Sequence, residues 1–257
     1  MKKCSKGVSC LSTCISKEKR CKGVLPSAVG SALTEKIKRL SEEKEGKVPY
    51  SEWRVVASGY QGQIAINPEG TRVVKTLFSP EKGEKPEFGP LEVEIATKMG
   101  ELGHSPKVHS SGPSHLEMDF AKGKPIWKSF RMEEDESPMN PEQARKAGAA
   151  VRDLHRLGYF HGDSHSQQFL VNRNDVKLVD YGLSGRLSSN PVKAMQDLAK
   201  ISKLVGWEKT ELSGDPYFSM VSRLLPEYRE LQGSKSKKSV ARRLEIAEEY
   251  LKDLKSL

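Results

Sequence analysis

His161-Gly162-Asp163-Ser164-His165-Ser166-Gln167-Gln168-Phe169-Leu170-Val171-Asn172-Arg173-Asn174-Asp175-Val176-Lys177-Leu178-Val179-Asp180-Tyr181-Gly182 is the stretch that decides the reading of this chain. Two short apolar runs, 169–171 and 176–179, flank the turn Asn172–Asp175 and read as a small hairpin. An aspartate stands just outside each end of it. Two carboxylates placed this way can face one point. One can orient or deprotonate a hydroxyl, and the other can hold Mg²⁺ against phosphates. Taken singly, each fragment is ordinary: an Asp before a turn and an Asp-Tyr-Gly bend. What surrounds them carries the argument.

Upstream, residues 141–158 begin with Pro141, stop at Gly158 and read as a helix with Ala147, Ala150, Val151, Leu154 and Leu157 on its apolar stripe. Downstream, helices are expected over 191–205, part of 216–231 and 239–257. The last shows Val240, Leu244, Ala247, Leu251 and Leu254 on one face. Earlier in the chain the texture is different. Trp53–Val56, Gln63–Asn67 and Thr71–Leu77 read as three strands, with a glycine turn and the turn Asn67–Gly70 between them. A proline- and glycine-bearing loop covers 79–90, a helix covers 91–102, and short apolar runs follow near Val108 and at His115–Phe120. The expected fold class is α+β: a small β-rich lobe, residues 47–122, and a reduced helical lobe, residues 123–257, behind a basic leader, residues 1–46. A cleft at the junction of such lobes is where ligands usually bind.

The chain has 257 residues, a net charge of +9, and 36 % hydrophobic and 30 % charged residues. No stretch approaches the roughly 20 apolar residues of a membrane span, so a pump is excluded, as are a porin and a coiled-coil rod. The charge first suggests nucleic acid. Its distribution argues otherwise, because residues 1–40 carry +8 and the other 217 only +1. No aromatic residue interleaves with those lysines, so bases have no stacking platform there. All four cysteines, Cys4, Cys10, Cys14 and Cys21, fall in the leader, at spacings that do not suit zinc. The cysteine-free body suits a reducing compartment. The run after Met1-Lys2-Lys3 is too short and too polar for a secretory signal, which leaves a flexible leader or one read by another export machinery.

Between the first two strands lies Ala57-Ser58-Gly59-Tyr60-Gln61-Gly62-Gln63-Ile64. Glycines there let backbone N–H groups close on phosphate oxygens, although a two-glycine hairpin is also ordinary turn chemistry. Lys75 follows in the third strand. Glu92, Ile95, Ala96 and Met99 share one helix face, and a carboxylate on such a face needs a cation, for which Lys75 is the candidate. Glu94 competes with Glu92 but is expected to face away. His165 reads as a loop surface residue, His155 as structural, and Glu133–Glu136 as a solvated loop.

Gly59-x-x-Gly62-x-Ile64, Val73-Val74-Lys75, Glu92, His161-Gly162-Asp163 and Asp180-Tyr181-Gly182, in this order, resemble the protein-kinase-like fold over roughly residues 53–205. The resemblance implies ATP and Mg²⁺ as cofactors. Gly59, Tyr60, Gly62 and Ile64 would cover the phosphates. Lys75 would bind them and pair with Glu92. Met118, Asp119, Phe120 and Ala121 would be the hinge that receives adenine, Asp163 the catalytic base, and Asp180 the metal ligand. Asp197 resembles a buried aspartate that braces the catalytic loop. The family's second metal ligand, an Asn, is replaced by Gln168. About ten residues separate Gly182 from the helix of Asp197, which leaves no room for a regulated activation segment. Such compact kinases are similar to bacterial secreted effectors of the OspG and NleH type. That implies a Ser/Thr protein kinase delivered to a host cell, or otherwise residing in the bacterial cytoplasm, with a protein substrate. A small-molecule phosphotransferase, like the aminoglycoside and choline kinases that share His-Gly-Asp, is the alternative. A pseudokinase binding module is another.

Overall fold

The structure is a computed structural model and describes residues 8–10, 13–15, 50–58, 62–78, 88–126, 139–205 and 215–257. The chain divides into two compact units, Met1–Glu84 and Lys85–Leu257. The acidic run Glu133–Glu136 lies outside the described residues.

The first unit holds a backbone hairpin, β1 (Val8–Cys10) and β2 (Thr13–Ile15), that the sequence did not announce. Its main feature is the antiparallel set β3 (Arg54–Ser58), β4 (Gly62–Ile66) and β5 (Arg72–Leu77). The β4–β5 turn is built by Asn67, whose side-chain oxygen accepts from the N–H groups of Thr71 and Arg72, each at 2.8 Å. Gly70 takes the left-handed conformation, φ 67°, that closes this turn. One sheet face buries Ala65 and Val74 beneath Tyr50, Trp53 and Val55. Strand alternation puts Lys75 on the other face, directly across from Ile64.

The second unit opens with α1 (Pro90–Glu101), which buries Ile95, Ala96 and Met99. The hairpin β6 (Val108–Gly112) and β7 (His115–Asp119) follows, then the short strand β8 (Lys124–Pro125). Helix α2 (Pro141–Arg156) starts where the sequence places it. Pro141 occupies the first turn, and Asn140 and Gln143 exchange reciprocal capping bonds of 2.9 Å. Beyond α2 come β9 (Tyr159–Phe160), the expected hairpin β10 (Phe169–Asn172) and β11 (Asp175–Leu178), β12 (Gly185–Arg186) and α3 (Val192–Val205). Helices α4 (Pro216–Leu231) and α5 (Lys237–Leu254) complete the unit. Among the helices, α3 is central and touches α2, α4 and α5.

The fold class is α+β, with the expected order of elements. The face of α5 is a correction. Ile246, Ala247, Tyr250 and Leu254 are buried, while Val240 and Leu244 are exposed. The expected stripe runs through Leu244 and Leu251, whereas Leu251 is only half-buried and Ile246 and Tyr250 are buried, so the packed face is rotated from the expected one. Two-residue strands β8, β9 and β12 are too short to show a period in sequence.

Helices α1 and α2 are tied by His104, whose Nε2 donates to Asp153 Oδ2 at 2.8 Å. Arg152 Nε donates to Asp153 Oδ1 at 2.8 Å. Burial alone would raise the Asp153 pKa. The bonds from His104 and Arg152 outweigh it and bring the carboxyl down to about 2. A depressed folded pKa stabilises the protein above the unfolded value and is lost as pH falls through the folded one. Allowing for partial exposure, the contribution is about 1–2 kcal/mol. In urea unfolding, Asp153→Asn is expected to be less stable than wild type by that amount at pH 6, with the gap shrinking from about pH 4 towards pH 2. A gap that does not change with pH would count against this account.

Candidate active site

The loop 161–168 is set by one carboxylate. Asp197 of α3 is 1 % exposed. Its Oδ2 accepts from His161 N at 2.6 Å, and its Oδ1 accepts from Gly162 N at 3.0 Å and from Ser164 Oγ at 2.7 Å. His155 Nε2 reaches Oδ2 at 3.4 Å. A carboxylate cannot donate, so His155 carries the proton on Nε2, and its Nδ1 accepts from Tyr250 Oη at 2.8 Å. Burial pushes the Asp197 pKa up. The His155 bond, and then the Ser164 hydroxyl, more than offset this and hold the group below the usual carboxylate range. Gly162 is required twice over. Its φ is 81°, and a Cβ there would lie 2.3 Å from Leu183 O.

His161 joins the two aspartate segments. Its Nε2–H donates to Val179 O at 3.1 Å, and its Nδ1 accepts from Asp163 N at 3.3 Å. Burial lowers its pKa and keeps the imidazole neutral, while the charges of Asp197, Asp180 and Asp163 all act on it in the opposite sense. Both candidate catalytic carboxylates thus lie within electrostatic reach of one ring. Val179 N also donates to Gln168 O at 2.9 Å, so the strand leading to Asp180 is laced to the loop holding Asp163.

Asp163 Oδ2 is the more crowded oxygen. Gln168 Nε2 donates to it at 3.3 Å. His165 Nδ1 accepts from Gln167 N at 3.1 Å, and its Nε2 stands 3.2 Å from Asp163 Oδ2 and 3.3 Å from Gln168 Nε2. His165 is a partly exposed loop residue, as its position suggests, and its ring lies beside Asp163. Lys200, on α3, donates to Gly162 O at 3.0 Å and stands 4.0 Å from Asp163 Oδ1.

Asp180 is exposed and adopts φ 67°, a left-handed conformation that Asp tolerates better than most residues. It is held from both sides. Leu178 N donates to His104 O at 2.8 Å, and Ser105 Oγ donates to Leu178 O at 2.6 Å and contacts the buried Tyr181 hydroxyl. The residues after Gly182 are pinned as well. Ser184 Oγ donates to His161 O, Gly185 and Arg186 pair with Phe160 and Tyr159, and Leu187 N donates to Gly158 O. Glu94 belongs here. Its carboxylate accepts from Lys98, Tyr159 Oη and Arg186, which fastens α1 to β9 and β12. The Lys98 and Tyr159 bonds lower its pKa. Glu94 thus has its own structural partners, and Glu92, half-buried on the face of Ile95 and Met99, remains the candidate for a cation.

Of the other predicted residues, Gly59 and Tyr60 lie outside the described residues. Gly62, Ile64 and Lys75 are on adjacent strands of the first unit, and Glu92, Asp163, Gln168 and Asp180 belong to the second. Gly62 has a reason independent of any ligand, since a Cβ there would lie 2.2 Å from Thr76 O. Met118 pairs with Val108, and the side chain of Asp119 is held by His109 at 2.6 Å. Asp119 N donates to Lys107 O, and Ala121 O accepts from Gly123 N. For a metal, Asp180 and Gln168 offer oxygen donors, which suit Mg²⁺. Among the described residues no three His, Cys, Asp or Glu side chains form a cage. A Mg²⁺ held by one or two carboxylates plus phosphates needs none. The donor set therefore fits the ion the resemblance implies.

A family model described as lipopolysaccharide core biosynthesis protein (WaaY) matches residues 132–229. That span contains Asp163, Gln168, Asp180, Asp197 and Lys200, and begins after Lys75 and Glu92. No curated protein matches the sequence. Among solved structures, the PK-1 kinase of the Cydia pomonella granulovirus is 21 % identical over 60 % of this chain and 57 % of its own, with a TM-score of 0.38. The chain thus spans little more than half of that kinase. The Rio2 kinase–ADP/Mg²⁺–phosphoaspartate complex from Chaetomium thermophilum is 11 % identical over 93 % of this chain and 81 % of its own, with a TM-score of 0.46. No helix among the described residues is long and apolar enough to cross a membrane.

Removing the Asp197 carboxylate strands two main-chain N–H groups, a hydroxyl and an imidazole in a dry interior. Breaking a buried charged site from one side costs about 3–5 kcal/mol. Asp197→Ala is expected to lose that much in chemical denaturation. Asp197→Asn, which keeps one acceptor oxygen, should lose less. Equal stability of Asp197→Ala and wild type would refute the bracing role.

Proposed function

We propose that this chain is an ATP- and Mg²⁺-dependent phosphotransferase that delivers the γ-phosphoryl group to an acceptor hydroxyl. The observation that carries this reading is the lacing of the Asp163 loop to the Asp180 segment through His161, over the buried Asp197. In it, Asp163 orients the acceptor hydroxyl and takes its proton, and Asp180 holds the metal with Gln168 as second donor. Lys75 binds the nucleotide phosphates and Glu92 serves Lys75. Gly59, Tyr60, Gly62 and Ile64 cover the phosphates, and Met118, Asp119, Phe120 and Ala121 receive adenine. Mg²⁺, when bound, neutralises phosphate charge. The protein's part is positioning and fixed charge.

For the acceptor, a protein Ser or Thr hydroxyl is the first reading. The helical unit supports it: among the described residues it holds α2 to α5 and no long acceptor-binding insertion. The finer reading, a secreted effector acting on a host protein, rests on the basic leader and this compactness. A saccharide hydroxyl is the second reading. What favours it is the match of residues 132–229 to a family named for lipopolysaccharide core biosynthesis.

Incubation with γ-labelled ATP and either a protein extract or a panel of saccharides and lipopolysaccharide separates the readings by which fraction takes the label. Asp163→Asn and Asp180→Ala should each lower transfer at least 100-fold, in keeping with groups that act on the reacting centre. Labelling that survives both substitutions would remove the assignment. Mg-ATP binding with no turnover in wild type would mark the chain as a binding module.

A further inference from the structure

Lys200 lies three residues beyond Asp197 on α3, on nearly the same helix face. Its ammonium donates to Gly162 O at 3.0 Å, and its side chain is 44 % exposed. At 4.0 Å from Asp163 Oδ1 it is beyond hydrogen-bond range of that carboxylate. An exposed pair of this kind contributes under about 1 kcal/mol, so attraction to Asp163 is a weak reason to hold so long a side chain in place. The carbonyl of Gly162 is what fixes it, and that bond uses one of the three ammonium donors.

The two oxygens of Asp163 are not equivalent. Oδ2 accepts from Gln168 and lies beside the His165 ring, while Oδ1 is the oxygen on the Lys200 side. A hydroxyl bound to Oδ1, at about 2.7 Å, comes within reach of an ammonium on a flexible four-carbon stem. We propose that Lys200 contacts the substrate, its ammonium binding the phosphoryl group as it is delivered to the hydroxyl held by Asp163. This rests on the phosphotransferase reading above. In that step the acceptor oxygen bonds to the γ-phosphorus. The bond from the γ-phosphorus to the β–γ bridging oxygen breaks, and its electron pair leaves on ADP. The hydroxyl proton passes to Asp163. Charge is spread over the equatorial phosphoryl oxygens during this exchange, and a cation already in place there favours that state over the ground state. Because Lys200 and Asp197 share one rigid helix, the cation and the loop that presents Asp163 keep a fixed relation.

The bland alternative is that Lys200 only steadies Gly162. Lys200→Gln separates the two, since glutamine keeps an N–H donor for Gly162 O and removes the charge. The probe is ADP release from Mg-ATP by the full chain with water as acceptor, with Lys200→Arg as the charge-retaining variant. The expected result for Lys200→Gln is a 10- to 100-fold fall in kcat with the KM for Mg-ATP within about twofold and an unchanged melting temperature. Lys200→Arg should keep a third or more of wild-type kcat. If Lys200→Gln turns over like wild type, or if Gln and Arg lose kcat equally, the proposal is overturned. An inactive Asp180→Ala beside an active Lys200→Gln overturns it while leaving the phosphotransferase reading intact. A wild-type chain that does not turn over Mg-ATP overturns both.

Discussion

One buried carboxylate organises the helical unit. Asp197 faces an interior in which an unpaired charge would be expensive, and the chain meets that cost with four donors, two of them consecutive main-chain N–H groups of the loop it supports. The same bonds force the loop into a shape only glycine can take at position 162. The left-handed turn there aims Asp163 away from the core while His161 is drawn into it. His155 and Tyr250 extend the arrangement to α2 and α5, so three helices share responsibility for one turn of backbone. Folding of the unit and placement of Asp163 are therefore the same event.

The segment between Asp180 and α3 works by a related economy. It is short, and its polar groups are engaged: Ser184 and Leu187 bond back to the loop and to Gly158, while Gly185 and Arg186 pair with β9. Glu94 then joins Arg186 and Tyr159 to α1. A segment fixed in this way leaves Asp180 positioned by the fold itself, with no separate ordering step. The left-handed backbone of Asp180, an unfavourable conformation for a residue with a Cβ, is sustained because Leu178 and Tyr181 on either side are anchored at His104 and Ser105.

Much of this was legible in the sequence, and the parts that were not share a cause. Pro141, Gly158 and the Asn67–Gly70 turn announce element boundaries because each imposes a local backbone geometry. The two carboxylates around a small hairpin followed from order along the chain, and the bracing aspartate from the family resemblance. His165, two residues after Asp163, reads as a loop surface residue, and Lys200 was not visible. One depends on a loop that turns its ring back upon Asp163. The other depends on the rotation of α3 against a loop 38 residues earlier. Gly62 shows the converse: a glycine that fits a phosphate-binding pattern also has a purely steric cause in Thr76 O. On α5 the expected stripe and the buried face differ in phase, with Ile246 and Tyr250 buried where Leu244 and Leu251 were expected. Apolar spacing alone says which residues could share a face, not which of the overlapping faces meets the core.

Gln168 is the point at which this chain departs most from the pattern it resembles, and its surroundings explain why the change is compatible with the site. The amide is buried and directs its N–H at Asp163 Oδ2, while its main-chain carbonyl accepts from Val179 N. The residue therefore ties the Asp163 loop to the Asp180 strand through two separate groups. A shorter amide at this position would reach less far towards Asp163 from the same backbone. The longer arm of Gln lets one end steady the carboxylate while its amide oxygen remains the donor suited to a hard cation.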